Sequence, residues 1–343
     1  MIKDRKNGPL VSVVISVYNE NPLYLKEAIR SVLEQTYRNL EIIIIDDGSN
    51  DRACLEVLDK AQRMDARVTV VHNQENAGLT KSLNAGLEMA KGKYLARMDS
   101  DDISEKNRIE EGVNYLEKYT SVTVAGTRIC EAVSGKQLRI MGEQHFSQVT
   151  AVRFLFRNAG VVHPTAMIRM DFLKKHNIRY NEKYRYAQDY ALWTDIVFKG
   201  GIIRTMPKVL VRYRIHNNQI TNKTRDRQLL CSRKIQREYV DQVCGSCLDK
   251  KEWEIFYSLT AFRMTGSLSE NINAIKKIEK NNRYLNRTVL QKELLMLWWQ
   301  RGWKLWRRKN GSITWMYFVN TYALSLFRPD NMVYALFYFI FKG

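Results

Sequence analysis

Residues 10–46 read LVSVVISVYNENPLYLKEAIRSVLEQTYRNLEIIIID. Leu10–Val17 is a continuous β-branched run, the pattern of a strand covered on both faces. Asn21 and Pro22 follow as an N-cap and a first helical residue. Leu25, Ala28, Ile29, Val32 and Leu33 then recur at helical spacing, and Glu41–Asp46 is a second buried strand. The pattern continues outward. It predicts a helix over 51–64, a strand over Arg67–His72, a helix over 80–90 and a strand over Lys93–Met98. A βαβαβαβ series implies parallel strands joined by right-handed crossovers, hence an α/β fold whose ligands bind beyond the carboxyl ends of the strands. Those ends carry Tyr18-Asn19-Glu20, Asp46-Asp47-Gly48-Ser49 and Asp99-Ser100-Asp101-Asp102.

Asp99, Asp101 and Asp102 repel one another unless a cation neutralises them, and oxygen-only ligands suit Mg²⁺ or Mn²⁺. An acidic turn capping the next helix is the plainer alternative. Asp46-Asp47-Gly48-Ser49 reads equally as an ordinary turn or as an acceptor for a ribose or a pyrimidine N–H. Lys81 falls in the first turn of a helix that follows Gly78. It is either a surface lysine or a phosphate partner beside free backbone N–H groups.

Beyond residue 104 the pattern is mixed. Helices are expected near 105–118 and 189–199, and strands at Val122–Ile129, Thr165–Arg169 and Ile202–Tyr213. From about residue 225 the chain reads as all helix. The expected division is therefore an α/β domain over 1–220 and a helical region over 221–343.

The 343 residues carry a net charge of +19, and residues 221–343 hold 22 Lys/Arg against 10 Asp/Glu. Such an excess seeks phosphate in a nucleic acid, an anionic lipid or a phosphorylated substrate. Hydrophobic residues at 45% and charged residues at 27% exclude a disordered or fibrous chain. Five scattered Cys make no disulfide framework and point to a reducing compartment. Cys244-Gly-Ser-Cys247 has no second pair at zinc spacing and reads as two ordinary thiols. The N-terminus lacks the apolar run of a secretory signal, and no segment reaches the length of a membrane span.

Leu295, Trp299, Trp303 and Trp306 recur on one helical face, interleaved with Arg301, Lys304, Arg307, Arg308 and Lys309. Trp beside Lys and Arg marks a helix lying in a membrane surface, and Met332–Phe341 is a second apolar stretch too short to span. Packing as ordinary core helices is the alternative.

The ordered set VSVVISVYNE, SVLEQTY, IIIIDDGSND, NQENAGLTKSLNAGL, GKYLARMDSDD and AQDYALW, spread over about residues 9–215, resembles the family-2 glycosyltransferases of GT-A fold. That resemblance implies a Rossmann-like, mostly parallel twisted sheet flanked by helices. Its nucleotide-sugar half would cover about 9–103 and its acceptor half about 104–220. It implies inverting sugar transfer from a nucleotide-diphosphate sugar, with Mn²⁺ or Mg²⁺ at the DxD motif. Carried over, Tyr18 and Asp47 line the base pocket, and Glu20 and Lys81 join them on the donor side. Asp99 lies beside ribose and metal, Asp101 is the principal metal ligand and Asp189 the catalytic base. His163-Pro164-Thr165 and Arg212-Tyr213-Arg214-Ile215-His216 resemble segments of bacterial polysaccharide transferases, which makes His163 an acceptor candidate and His216 a metal or diphosphate candidate. Lys106 stands where the family usually has Pro.

The expected activity is hexose transfer, from a UDP-sugar in most such relatives, to a lipid-diphosphate-linked saccharide in O-antigen, capsule or exopolysaccharide synthesis. The enzyme would lie peripherally on the cytoplasmic face of the inner membrane, against its anionic surface, with no nucleic-acid partner. A sugar-nucleotidyltransferase is the alternative, but Val17-Tyr18-Asn19-Glu20 stands where that class has a Gly-rich loop. A basic nucleic-acid-binding protein is a further alternative. It is disfavoured because the tail aromatics cluster with aliphatics on one face. A processive synthase is disfavoured by the lack of spanning helices.

Overall fold

Strand β1 (Val11–Val17) is buried along nearly all its length, as expected of its Val- and Ile-rich sequence. Helix α1 (Pro22–Leu33) starts where expected, with the Asn21 side chain accepting from the N–H groups of Leu23 and Tyr24. Strand β2 (Leu40–Asp46), helix α2 (Arg52–Met64), strand β3 (Val68–His72), helix α3 (Leu79–Met89) and strand β4 (Tyr94–Asp99) complete the series. Asp51 caps α2 by accepting from the Cys54 N–H. The computed structural model describes residues 8–133, 136–142, 147–216, 224–261, 263 and 265–309, and side chains as far as residue 301.

The chain then adds β5 (Ile103–Ser104), α4 (Arg108–Lys118), β6 (Val124–Val133), β7 (Lys136–Met141) and α5 (Ser147–Arg153). After a 3₁₀ turn at His163–Thr165 come β8 (Met167–Arg169), α6 (Met170–Lys175), α7 (Gln188–Phe198) and β9 (Ile203–Arg214). The sheet order is β3-β2-β1-β4-β8-β6-β9-β5, with β7 paired to β6. The β3-β2-β1-β4 block is parallel, as the crossovers demand. Beyond it β8 runs antiparallel to β4 and to β6, so the whole sheet is mixed. Its core joins Val13, Ile15, Ile42 and Ile44 with Leu25 and Ile29 of α1, Leu58 of α2, and Val113 and Leu116 of α4.

Register sets the height of the strand ends. Val17 pairs with Asp46, Ser16 with Asp99, and Asp46 with His72, so the carboxyl ends of β1 to β4 finish level. Strand β5 is two residues long, yet it pairs Ile103 with Arg212 and so carries the end of β9 to the same edge.

Two compact units result. One comprises residues 1–147 and 160–231, the other 148–159 and 232–343. The sequence reading divided the chain at 220. The contacts divide it at 231 and assign 148–159 to the helical unit. That unit contains α8 (Arg225–Cys244) from residue 232 on, α9 (Lys250–Thr260), α10 (Leu268–Asn281) and α11 (Arg287–Lys309). Within it Phe154 meets Tyr239 edge-on at 6.0 Å, the Gln236 amide donates to the Leu155 carbonyl at 2.7 Å, and Arg153 pairs with Glu293 at 2.7 Å. Asp249 and Ser267 build capping boxes for α9 and α10.

Two residues of the expected membrane face of the last helix are internal. Leu295 and Trp299 are buried, Trp298 is fully so, and Arg301 is 3% exposed and donates to the Thr260 carbonyl at 2.6 Å. The side chains of Trp303, Lys304, Trp306, Arg307, Arg308 and Lys309, and all of Met332–Phe341, lie outside the described residues. Among the described residues no helix is long and apolar enough to cross a membrane.

Candidate active site

Asp99 ends β4, and Asp101 and Asp102 follow in the turn before β5. One carboxylate oxygen from each of the three lies within 4.8 Å of the others. Asp102 is fully buried. Its Oδ1 accepts the Arg214 N–H at 2.9 Å, and its Oδ2 has no hydrogen-bond partner among the described residues. Burial, then the charges of Asp99 and Asp101, push its carboxyl well above the usual range. Asp101 is pushed up to about 6 by burial first and by Asp99 next, against the opposing pull of His216. His216 Nε2 stands 2.9 Å from Asp101 Oδ2, which joins the two metal candidates. An orphaned buried oxygen, three crowded carboxylates and an imidazole fit a hard divalent cation with nitrogen or oxygen ligands.

Cationic side chains support the cluster from behind. Arg97 is buried and ion-pairs with Asp99. Arg108 is also buried, donates to the Arg97 carbonyl at 2.5 Å, and is lowered to about 10 by burial. Arg214 donates to the Asp101 carbonyl at 2.8 Å, pairs with Glu27 at 2.7 Å and stacks over Tyr24 at 4.1 Å. Arg97 and Arg108 were not among the sequence candidates, and their signal was a buried position in β4 and α4 that carries a charge. Arg214 ends β9 in the segment that carries His216.

Glu20 reaches the same turn, accepting from Ser100 Oγ at 3.1 Å, and its charge acts on Asp101. Tyr18, next to it, is 51% exposed. The β1 and β2 ends are tied by Asn19, whose φ of 45° is one Asn tolerates. Its N–H donates to Ser49 Oγ at 2.8 Å, and its Oδ1 accepts from Asn50 and Asp51.

Asp47 is buried and accepts from Asn73 at 2.9 Å, the Ala77 N–H at 3.0 Å and the Gly78 N–H at 2.8 Å. It organises the loop ahead of α3 and keeps one lone pair of four for a ligand. Gly48 has φ of 75°, and a Cβ there would come within 2.6 Å of the Glu75 backbone, so this loop packs on a glycine by necessity. Lys81 is exposed on the first turn of α3. Arg185 lies against the same turn, its guanidinium 2.8 Å from where a Cβ on Gly78 would stand. Neither cation has a carboxylate partner among the described residues.

Asp189 lies in the first turn of α7, partly buried. Tyr180 links it to the cluster. The proton affinity of this buried phenol is raised by burial, then shaped by Arg97 and by the negative charges of Asp189 and Asp99, so all three lie in its electrostatic neighbourhood. His163 is buried, 2.8 Å from the Tyr180 hydroxyl and edge-on to Trp193. Burial, and then Arg97, hold its imidazole well below the usual range. The structure places His163 as an internal support of Tyr180.

A family model described as Glycosyl transferase family 2 matches residues 12–176. An uncharacterized glycosyltransferase of Haemophilus influenzae is 37% identical over 246 residues, covering 68% of this chain and 74% of the relative. The chain belongs to glycosyltransferase family 2. A second relative, an uncharacterized glycosyltransferase of Methanocaldococcus jannaschii, is 29% identical over 256 residues, covering 74% of this chain and 88% of the relative. Among solved structures, S. aureus TarS 1-349 in complex with UDP-GlcNAc superposes with a TM-score of 0.58 at 17% identity, over 92% of each chain. That likeness establishes a GT-A-like fold with a helical C-terminal region. Family membership favours glycosyl transfer over the nucleotidyltransferase and nucleic-acid readings.

Proposed function

We propose that this family-2 glycosyltransferase is an inverting, metal-dependent hexosyltransferase that uses a UDP-sugar and extends a saccharide carried on a membrane lipid diphosphate. One observation carries the reading: the three-carboxylate cluster with His216 at a level row of strand ends, with Asp189 in the field of the same Tyr180. Asp101, Asp99 and His216 would hold Mn²⁺ or Mg²⁺. The cation, when bound, offsets the charge of the departing nucleoside diphosphate and replaces a general acid. Tyr18 offers a flat face to the base, and the spare lone pair of Asp47 accepts its imide N–H. Lys81 and Arg185 bring two cations to the start of α3, where a diphosphate also meets free backbone N–H groups. Asp189, rigid on α7, takes the proton of the acceptor hydroxyl as that oxygen attacks opposite the leaving group. TarS, a fold neighbour, was crystallised with UDP-GlcNAc and with UDP, which supports a uridine donor here.

The acceptor proposal rests on the basic excess of residues 221–343, which matches a phosphate-bearing, membrane-borne substrate. It fits O-antigen, capsule or exopolysaccharide assembly at the cytoplasmic face of the inner membrane. The test is a panel of UDP-, GDP- and dTDP-sugars assayed for Mn²⁺- or Mg²⁺-dependent hydrolysis and transfer. Selective turnover of a UDP-sugar supports the reading, and binding of none of the panel overturns it.

A further inference from the structure

The helical unit contains a pair of thiols that the transfer reaction leaves unused. Cys244 ends α8 and Cys247 follows three residues later. Between them Gly245 and Ser246 both adopt left-handed backbone, φ 68° and 52°, a tight turn that folds the chain back on itself. Each sulfur shifts the proton affinity of the other, so the two lie within interaction range. Their surroundings differ. Cys244 is buried, and its Sγ also reaches the Ile278 carbonyl at 3.6 Å. Cys247 is partly exposed.

We propose that Cys244 and Cys247 form a reversible dithiol–disulfide site, with Cys247 as the attacking thiol, Cys244 as the resolving thiol and Asp241 as its proton acceptor. Asp241 stands three residues before Cys244, on the same side of α8. Its Oδ2 accepts from Arg237 at 2.8 Å, but its Oδ1 is buried with no hydrogen-bond partner among the described residues. Its charge acts on both sulfurs. The Arg283 guanidinium lies 3.5 Å from where a Cβ on Gly245 would stand, and the positive charge of Lys277, itself paired with Glu252, also acts on Cys247. Hydrogen bonding from Cys244 first, with Lys277 adding, shifts the Cys247 thiol down, whereas that hydrogen bond and burial shift Cys244 up. A partly exposed thiol favoured as thiolate beside a buried one is the asymmetry that sequential exchange requires.

The chemistry is a two-electron exchange with a small-molecule disulfide. The Cys247 thiolate attacks one sulfur, forming a mixed disulfide and expelling one thiolate. Asp241 then takes the Cys244 proton. The Cys244 thiolate attacks Cys247 Sγ, closing the protein disulfide and expelling the second thiolate. The dithiol is oxidised, and the small disulfide is reduced to two thiols.

The full-length protein is equilibrated in oxidised and reduced glutathione, alkylated, and read by peptide mass spectrometry. Loss of two alkylatable thiols at Cys244 and Cys247 together, with a 2 Da decrease and reversal by dithiothreitol, is expected. Cys244→Ser should retain glutathione on Cys247, whereas Cys247→Ser should remain unmodified at Cys244. Asp241→Asn, which still accepts from Arg237, should prolong the mixed disulfide on the order of 10²-fold. Two thiols alkylatable throughout the series, or glutathione captured on Cys244 as readily as on Cys247, would overturn the proposal. Glycosyl transfer is not part of the readout, so either reading can fail alone.

Discussion

At the scale of single residues, the carboxylates at the strand ends are held close at a cost. Asp101 has a folded pKa of about 6 against an ordinary 3.8. A carboxyl raised on folding is stabilising when protonated, so its cost is absent below pH 4, grows between 4 and 6, and is full above 6. Asp101→Asn should therefore melt above the wild type in chelator at pH 7–8, and the difference should vanish as the pH falls toward 4. Equal melting curves at pH 8 would contradict a crowded, buried Asp101. Mn²⁺ should raise the melting temperature of the wild type alone, and Asp101→Ala should lose transfer while staying folded. Asp189 makes a different demand, because a positioned base affects turnover rather than donor binding. Asp189→Asn should lower kcat by ~10²–10⁴ with UDP affinity near wild type. Parallel loss of UDP affinity, measured by calorimetry, would move Asp189 to the donor side.

At the scale of elements, Asn84 of α3 holds the loop that leads to α7. Its side chain pairs with both backbone groups of Tyr180 at 2.9 Å, accepting from the N–H and donating to the carbonyl. Thr80, one turn earlier, donates to the Tyr184 carbonyl at 3.5 Å. Asn84→Ala leaves two buried backbone groups without partners, at about 1–3 kcal/mol each. It should lower the melting temperature and reduce kcat more than UDP affinity, because Tyr180 and Asp189 follow that loop. Unchanged melting would show that water replaces the amide.

The same comparison shows why some elements were legible and others not. Strands β1 to β3 announced themselves by their Val- and Ile-rich runs and β4 by its place in the alternating series, and Asn21, Pro22 and Asp51 punctuate the helices between them. Strand β5 is two residues whose partner, Arg212, lies more than a hundred residues on, so nothing local marks it. The convergence of Asp102 with Arg214 depends on that pairing. The three carboxylates and Asp189 were visible as residues; the supporting Arg97, Arg108 and Asn84 were not, because a buried polar side chain resembles a surface one until its partners are known.

At the scale of the molecule, charge and the last helix act separately. A Trp-rich helix with interleaved cations has the same pattern whether it faces lipid or its own unit. Only the partner differs, and for Arg301 that partner is the Thr260 carbonyl. Trp298 is fully buried and Trp299 9% exposed, so both are internal residues of the helical unit's last helix. Truncating a buried Trp costs about 3–5 kcal/mol, so Trp298→Ala should unfold that unit at a markedly lower temperature rather than release the protein from a membrane. Attraction to an anionic surface then falls to the net charge of +19 and its excess in residues 221–343. Such attraction is long-range and screened, with a Debye length of about 8 Å at physiological salt. The protein should therefore bind phosphatidylglycerol-containing vesicles at low salt and leave them as salt rises. Trp303 and Trp306 changed together to Ser should weaken whatever binding persists at high salt. Binding that neither salt nor those two substitutions reduces would place the membrane contact elsewhere. No binding at low salt would remove the anionic surface from the list of partners.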